Sequence, residues 1–164
     1  MRTVELLVDP DLDASVREVW RRLHAAGLPS LATHTHPSNR PHLTLAAADS
    51  LPPELGALLT GLPIAAELDR VVHFERAVVW RVVLTDALRD LHAEVWHALR
   101  GTERNPLHAP GSWIPHVSLA LRSQDRPRYE EELRGLPAAR GGFVQARTYD
   151  SETRTVAPLS PPPR

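Results

Sequence analysis

Two short segments of the chain each place an imidazole two residues before a hydroxyl. One is Pro41-His-Leu-Thr-Leu-Ala46, with His42 and Thr44; the other is Pro115-His-Val-Ser-Leu-Ala120, with His116 and Ser118. On an extended strand the side chains at i and i+2 share one face. His42 and Thr44 therefore project together, as do His116 and Ser118, while Leu43, Leu45, Val117 and Leu119 turn toward a core. Two such strands around one cleft supply the groups for in-line attack on a phosphodiester. One histidine takes a proton from the nucleophile and the other gives one to the leaving oxygen. The hydroxyls hydrogen-bond the non-bridging oxygens and hold the group in line. Histidine suits both proton transfers because its unperturbed pKa is about 6.5.

The elements that position these strands repeat as well. Glu18-Val-Trp20, Leu23 and Gly27 lead into the first segment; Glu94-Val-Trp96, Leu99 and Gly101 lead into the second. The histidines lie 74 residues apart, close to half of the 164-residue chain. A helix-loop-strand unit in each half points to duplication. Strands are expected at Val4–Val8, Leu31–Thr35, His42–Ala48, Ile64–Phe74, Ala77–Leu84, His116–Leu121, Phe143–Tyr149 and Thr153–Ala157. Helices are expected from Leu12 to Ala26 behind an Asp9 or Asp11 cap, over Pro52–Leu59, from Asp86 as cap through Arg100, and over Arg128–Leu136. Trp20 and Trp96, at equivalent repeat positions, are both expected in the core. Hairpins mixed with helices indicate an α+β fold with antiparallel sheets rather than a doubly wound one. Residues 1–158 are expected to form one bilobal domain, and 159–164 a proline-rich tail.

The paired motifs resemble the two His-x-[Thr/Ser]-x motifs of the 2H phosphoesterase superfamily, the 2′-5′ RNA ligase-like or cyclic phosphodiesterase proteins. The resemblance spans essentially the whole chain, one motif to each half, with Ser118 where threonine is commoner. It implies two antiparallel sheets with flanking helices, related by a pseudo-two-fold, and a cleft between the lobes. It also implies metal-independent hydrolysis of 2′,3′-cyclic phosphodiesters at nucleotide or RNA ends, with ligation only as the reverse reaction. His42, His116, Thr44 and Ser118 are its catalytic set, and no cofactor is implied.

Further residues are candidates for contact with substrate. Arg40 precedes His42 by two positions, and Arg122 follows His116 by six, on the same face if the strand continues that far. Either guanidinium can clamp a phosphate. Arg76 is structural or substrate-facing. Trp113, Phe74 and Tyr149 can stack a base. His34 and His36, in Thr33-His-Thr-His36, are expected on a polar hairpin at the cleft mouth. Alternate histidines on a strand can also bind a metal, with His42 or His108 as third ligand. A metal-dependent hydrolase built on that cluster is therefore one alternative. A catalytically quiet nucleotide- or protein-binding module on the same fold is another. His24, His73, His92 and His97 are expected to pack or face solvent without a role.

Composition narrows the classes. The net charge of −1 carries no global basic field, which argues against long duplex DNA but not against a nucleotide or an RNA end. The chain has no cysteine, which removes disulfides and thiolate chemistry. All 19 basic residues are arginine, so a lysyl-nucleotide intermediate is impossible. No signal pattern and no membrane-length apolar run is visible, so a cytoplasmic monomer with no membrane partner is expected.

Overall fold

The computed structural model describes residues 1–159; the tail expected over 159–164 lies almost wholly outside them. Ten regular elements follow one another among the described residues: β1 (Arg2–Val8), α1 (Pro10–Ala25), β2 (His42–Ala48), β3 (Ile64–His73), β4 (Ala77–Val82), α2 (Asp86–Ala98), β5 (His116–Leu121), α3 (Arg126–Glu132), β6 (Ala139–Asp150) and β7 (Thr155–Pro158). Short 3₁₀ turns occupy Leu31–Thr33, Pro53–Leu59 and Pro106–His108. No helix among the described residues is long and apolar enough to cross a membrane.

The fold is α+β, with an antiparallel sheet in the order β1-β2-β5-β4-β3-β6-β7. Instead of two separate sheets, the ladders are continuous and close on themselves. The first part of β6, Ala139–Phe143, pairs with β3, and the remainder, Phe143–Asp150, pairs with β1. This double use explains why β6 is longer than the expected Phe143–Tyr149. Gly141 permits the extension: a Cβ there would collide with the Asp9 carboxylate. That carboxylate also caps α1, accepting from Leu12 N at 2.8 Å, and accepts from Gly142 N at 2.5 Å.

At the centre, β2 and β5 meet antiparallel through the pair Leu43–Val117. The flanking ladders are irregular at matching places. The extra residue in each lies on the central strand: Leu45 of β2, between Thr44 and Ala46, bulges against Val4 and Glu5 of β1, and Leu119 of β5, between Ser118 and Ala120, bulges against Val78 and Val79 of β4. A bulge bends a strand and increases its twist, so both central strands receive a similar bend beside their hydroxyl residue. Leu43, Leu45, Val117 and Leu119 are buried in the core.

Each helix serves the other half's motif: α1 packs on β5, and α2 packs on β2. Trp20 of α1 donates its indole N–H to the Ser118 carbonyl at 3.0 Å. Trp96 departs from the core expectation. It is half-buried, with the Arg104 guanidinium 3.8 Å from its ring centroid. The α2 cap is Thr85, whose hydroxyl accepts from Leu88 N, rather than Asp86.

Candidate active site

The register of β2 and β5 assembles the site. β2 and β5 meet at the single antiparallel pair Leu43–Val117, with His42 and Thr44 flanking it on one strand and His116 and Ser118 on the other. Leu43 and Val117 point into the core, so all four polar side chains lie on the opposite face. The two imidazoles are near enough for the charge of His42 to act on His116.

Each ring is oriented the same way. His42 Nδ1 donates to the Arg40 carbonyl at 2.7 Å, and His116 Nδ1 donates to the Ile114 carbonyl at 2.7 Å. A nitrogen facing a carbonyl must carry hydrogen, so Nε2 is the proton-exchanging atom of both rings. The motif itself sets this up. Pro41 and Pro115 hold the preceding residue extended and leave the carbonyl two residues back within reach of the ring.

The surroundings of the two rings differ. His42 Nε2 lies 3.5 Å from Oε1 of Glu5, a charge contact rather than a hydrogen bond. Glu5 is buried on β1 and bonds Arg147 of β6 through its other oxygen at 2.7 Å. Thr3 Oγ1 donates to Glu5 Oε1 at 2.8 Å, and Arg147 also donates to the Ser38 carbonyl at 2.8 Å. Among the described residues His116 has no such carboxylate partner. The Phe74 ring meets it edge-on at 5.2 Å. Burial, then the nearby charge of His42, push its pKa below the ordinary histidine value, against the opposing pull of the Ile114 carbonyl.

One cavity adjoins His116, and it shares Phe74 with a second. The smaller, about 290 Å³, is lined by Phe74, Leu107, His108, Trp113, Ile114 and His116 among others. Trp113 stacks on His92 at 3.8 Å and donates its indole N–H to the Thr44 carbonyl at 3.1 Å. It thus holds β2 in place while also lining this cavity. The larger, about 640 Å³, gathers Arg76, Arg122 and Arg126 around His73 and Phe74. Strand β5 ends at Leu121, so Arg122 does not continue its face. It sits just beyond, at φ 55°, and joins the cavity through the loop.

Other candidates stand apart. Arg40 is exposed, and its carbonyl rather than its guanidinium serves the site. Tyr149 pairs with Thr3, beyond Glu5 and Arg147 on the same strands, and lines neither cavity. The strand expected over Leu31–Thr35 is a 3₁₀ turn followed by an exposed loop. The reason is local: the Ser30 hydroxyl caps Ala32 N, and the Asn39 amide binds the Leu31 and His34 carbonyls. His34 and His36 therefore do not present a strand face. His36 Nδ1 pairs with the Ser38 hydroxyl at 2.7 Å. Among the described residues no three His, Cys, Asp or Glu side chains are grouped to hold a metal ion.

A family model described as the 2′-5′ RNA ligase superfamily matches residues 8–148. The chain belongs to the 2′-5′ RNA ligase superfamily. The 2H resemblance carried by the two motifs agrees with that membership. No curated protein sequence matches the chain significantly. Solved structures with the same fold include the MHV ns2 PDE domain, at 15% identity and TM-score 0.58, covering 90% of this chain and 94% of that one. TT0787 of Thermus thermophilus matches at 18% identity and TM-score 0.58, covering 96% and 94%. E. coli LigT in its apo form matches at 16% and 0.53, covering 96% and 92%.

Within this superfamily member, Glu5, Arg147 and His73 were not foreseen as site residues, and His108 was foreseen only as a possible third metal ligand. Glu5 left a signal, a lone charge inside the apolar run Val4–Val8. Its partner Arg147 lies 142 positions away, and one sequence does not reveal that pairing. His73 lines the arginine cavity, and His108 lies beside His116 with a buried, unpartnered Nδ1. Both sit in segments whose only sequence signal is an isolated histidine.

Proposed function

We propose that this superfamily member is a metal-independent phosphoesterase that hydrolyses 2′,3′-cyclic phosphodiesters of nucleotides or RNA ends. The carrying observation is the quartet His42, Ser118, Thr44 and His116 on one strand face, with both Nε2 atoms left for the substrate. One imidazole takes a proton from water as its oxygen attacks phosphorus. The other protonates the ribose oxygen that leaves. Thr44 and Ser118 donate to the non-bridging oxygens. The cavity between Phe74 and Trp113 suits a base or ribose, and the arginine cavity suits further phosphate. The matching bulges and exchanged helix contacts favour duplicated lobes related by a pseudo-two-fold.

The test is a panel of 2′,3′-cyclic mononucleotides and cyclic-phosphate-ended RNAs followed by phosphorus NMR. Conversion to a monoester supports the reading. Binding without turnover across the whole panel, by folded protein, overturns it. Turnover is expected to survive dialysis against EDTA, because every step is assigned to an organic side chain. Loss on chelation with recovery on added zinc or manganese would move the chemistry to a metal.

A further inference from the structure

Each of the two hydroxyl residues on the central strands is bonded at its backbone by an indole. Trp20 donates its N–H to the Ser118 carbonyl at 3.0 Å, and Trp113 donates its N–H to the Thr44 carbonyl at 3.1 Å. We infer that Trp20 and Trp113 are positioning residues: their N–H groups fix Ser118 and Thr44 for phosphate, and Trp113, whose ring also walls the cavity beside His116, couples the filling of that cavity to the phosphate seat. The inference rests on the phosphate-binding part of the reading above and adds the residues that set its geometry.

The strands create the need for these two bonds. β2 and β5 pair only through Leu43–Val117. Directly after each hydroxyl residue comes a bulged leucine, Leu45 after Thr44 and Leu119 after Ser118, which interrupts the outer ladder as well. The backbone at Thr44 and Ser118 therefore stands where regular pairing is limited on one side and irregular on the other, and a carbonyl there calls for another donor. Indole nitrogen is a donor only. Both rings are held: Trp20 is 2% exposed on α1, and Trp113 stacks flat on His92 of α2 at 3.8 Å. A fixed carbonyl fixes its residue, and with it the direction of the hydroxyl.

The sequence repeat does not account for the pair. Trp96 is the counterpart of Trp20, but its ring lies against the Arg104 guanidinium at 3.8 Å instead. Trp113 stands two residues before Pro115, and the corresponding residue before Pro41 is Asn39, whose amide binds the Leu31 and His34 carbonyls. The same bond to a hydroxyl residue is thus made from unrelated positions, one on a helix and one in a loop.

Trp113 differs from Trp20 in what else it meets. It lines the cavity of about 290 Å³ with Phe74, Leu107, Ile114 and His116. His92 covers one face of its ring, so the cavity meets the other face or the edge. Leu107 and Ile114 are 72% and 47% exposed, large apolar side chains open to water beside the site. Mostly apolar walls with a few polar groups suit a planar base or a ribose. An occupant that touches Trp113 touches the residue that holds Thr44, whereas Trp20 is buried on α1 and acts on Ser118 alone.

The test needs no turnover. In the full-length protein, NMR follows the binding of inorganic phosphate and of 2′-AMP and 3′-AMP, the two monoesters that hydrolysis of a 2′,3′-cyclic phosphate can give. Trp20→Phe and Trp113→Phe remove the N–H and keep an aromatic ring. Each should weaken inorganic phosphate about two- to tenfold, the scale of one neutral hydrogen bond, and leave the advantage of nucleotide over phosphate unchanged. Trp113→Ala should weaken phosphate similarly and also cut that advantage about fivefold or more, the scale of one base–aromatic contact. In the wild type, either nucleotide should shift the Trp113 indole N–H resonance more than that of Trp20. Unchanged phosphate affinity in folded Trp113→Phe overturns the positioning role, and an undiminished nucleotide advantage in folded Trp113→Ala overturns the coupling. A Trp113 resonance unmoved at saturating nucleotide also overturns the coupling, and that measurement requires no variant to fold. The expected pattern without turnover of any cyclic phosphate would sink the hydrolytic reading and leave the phosphate seat standing. A wild type that binds none of the three probes would sink both.

Discussion

The alanine substitutions His42→Ala and His116→Ala each remove one proton-transfer group. Each is expected to lower kcat by at least about 10²-fold, the lower end for a positioned acid or base. The double variant should lose far less than the product, because both rings act on one transition state. Thr44→Ala and Ser118→Ala should cost less, since each removes one neutral hydrogen bond to phosphate. Steady-state kinetics on one cyclic phosphate compares all five, and a fully multiplicative double variant would place the rings at separate sites. The buried pair behind His42 allows a stability test at the same scale. Arg147→Met leaves the Glu5 charge without its hydrogen-bonded partner, a loss of about 3–5 kcal/mol. Adding Glu5→Gln should recover much of it. Urea denaturation of the single and double variants measures the difference, and equal midpoints would mean that the pair is not coupled.

At the scale of elements, Asp9 joins two of them. Its carboxylate caps α1 at Leu12 N and receives Gly142 N from β6. Asp9→Ala should lower stability by about 1–2 kcal/mol, the cost of a lost cap, with added loss from the unpaired Gly142 N–H. A thermal midpoint equal to wild type would show that water replaces both bonds. Much of this level was legible in sequence. Alternating Leu43, Thr44 and Leu45 gave the strand and its faces, and Asp9-Pro10 gave the helix start. The repeat brought the two motifs together as one reading. What was not legible depends on distant partners. Gly141 and Gly142 lie before the strand expected from Phe143, yet they extend β6 because Asp9 packs against them. Leu31–Thr35 looks like a strand, but Ser30 and Asn39 satisfy its backbone locally and hold it as a turn and loop. Trp96 matches Trp20 in the repeat, but Arg104 covers it from the solvent side.

For the whole molecule, a net charge of −1 conceals a local gathering of arginines, because Arg76, Arg122 and Arg126 come from two loops and the start of α3. Replacing Arg76 and Arg122 with glutamine should raise KM for a cyclic-phosphate-ended oligonucleotide more than for a cyclic mononucleotide, and should flatten the salt dependence of the former. Equal changes for both substrates would remove the cavity from substrate binding. The last expectation concerns acid stability. His73, His92, His108 and His116 all have pKa values lowered from 6.5, with burial as the first cause in each. In the unfolded chain these rings titrate near 6.5, and in the folded protein they hold their protons less tightly. Below about pH 6.5 the unfolded state therefore binds more protons, and stability falls as pH falls. The contribution is fully present above the unfolded value and is lost as pH drops through the lowered folded values. Carboxylates add a separate loss at more acidic pH: Asp69, whose pKa is lowered from 3.8 chiefly by its bond to Arg81, keeps its contribution until well below the histidine window. Urea midpoints should thus be nearly level from about pH 8 to 7 and decline between about 6.5 and 5.5, before any carboxylate titrates. His92 is the ring to substitute as a control, since it is buried, bonds the His108 carbonyl at 2.9 Å and lies outside the catalytic quartet. His92→Gln should be less stable at about pH 7.5 yet lose less of its stability on going to about pH 5.5. A midpoint that stays constant across that interval in the wild type would show that these rings are protonated as readily in the fold as in the unfolded chain.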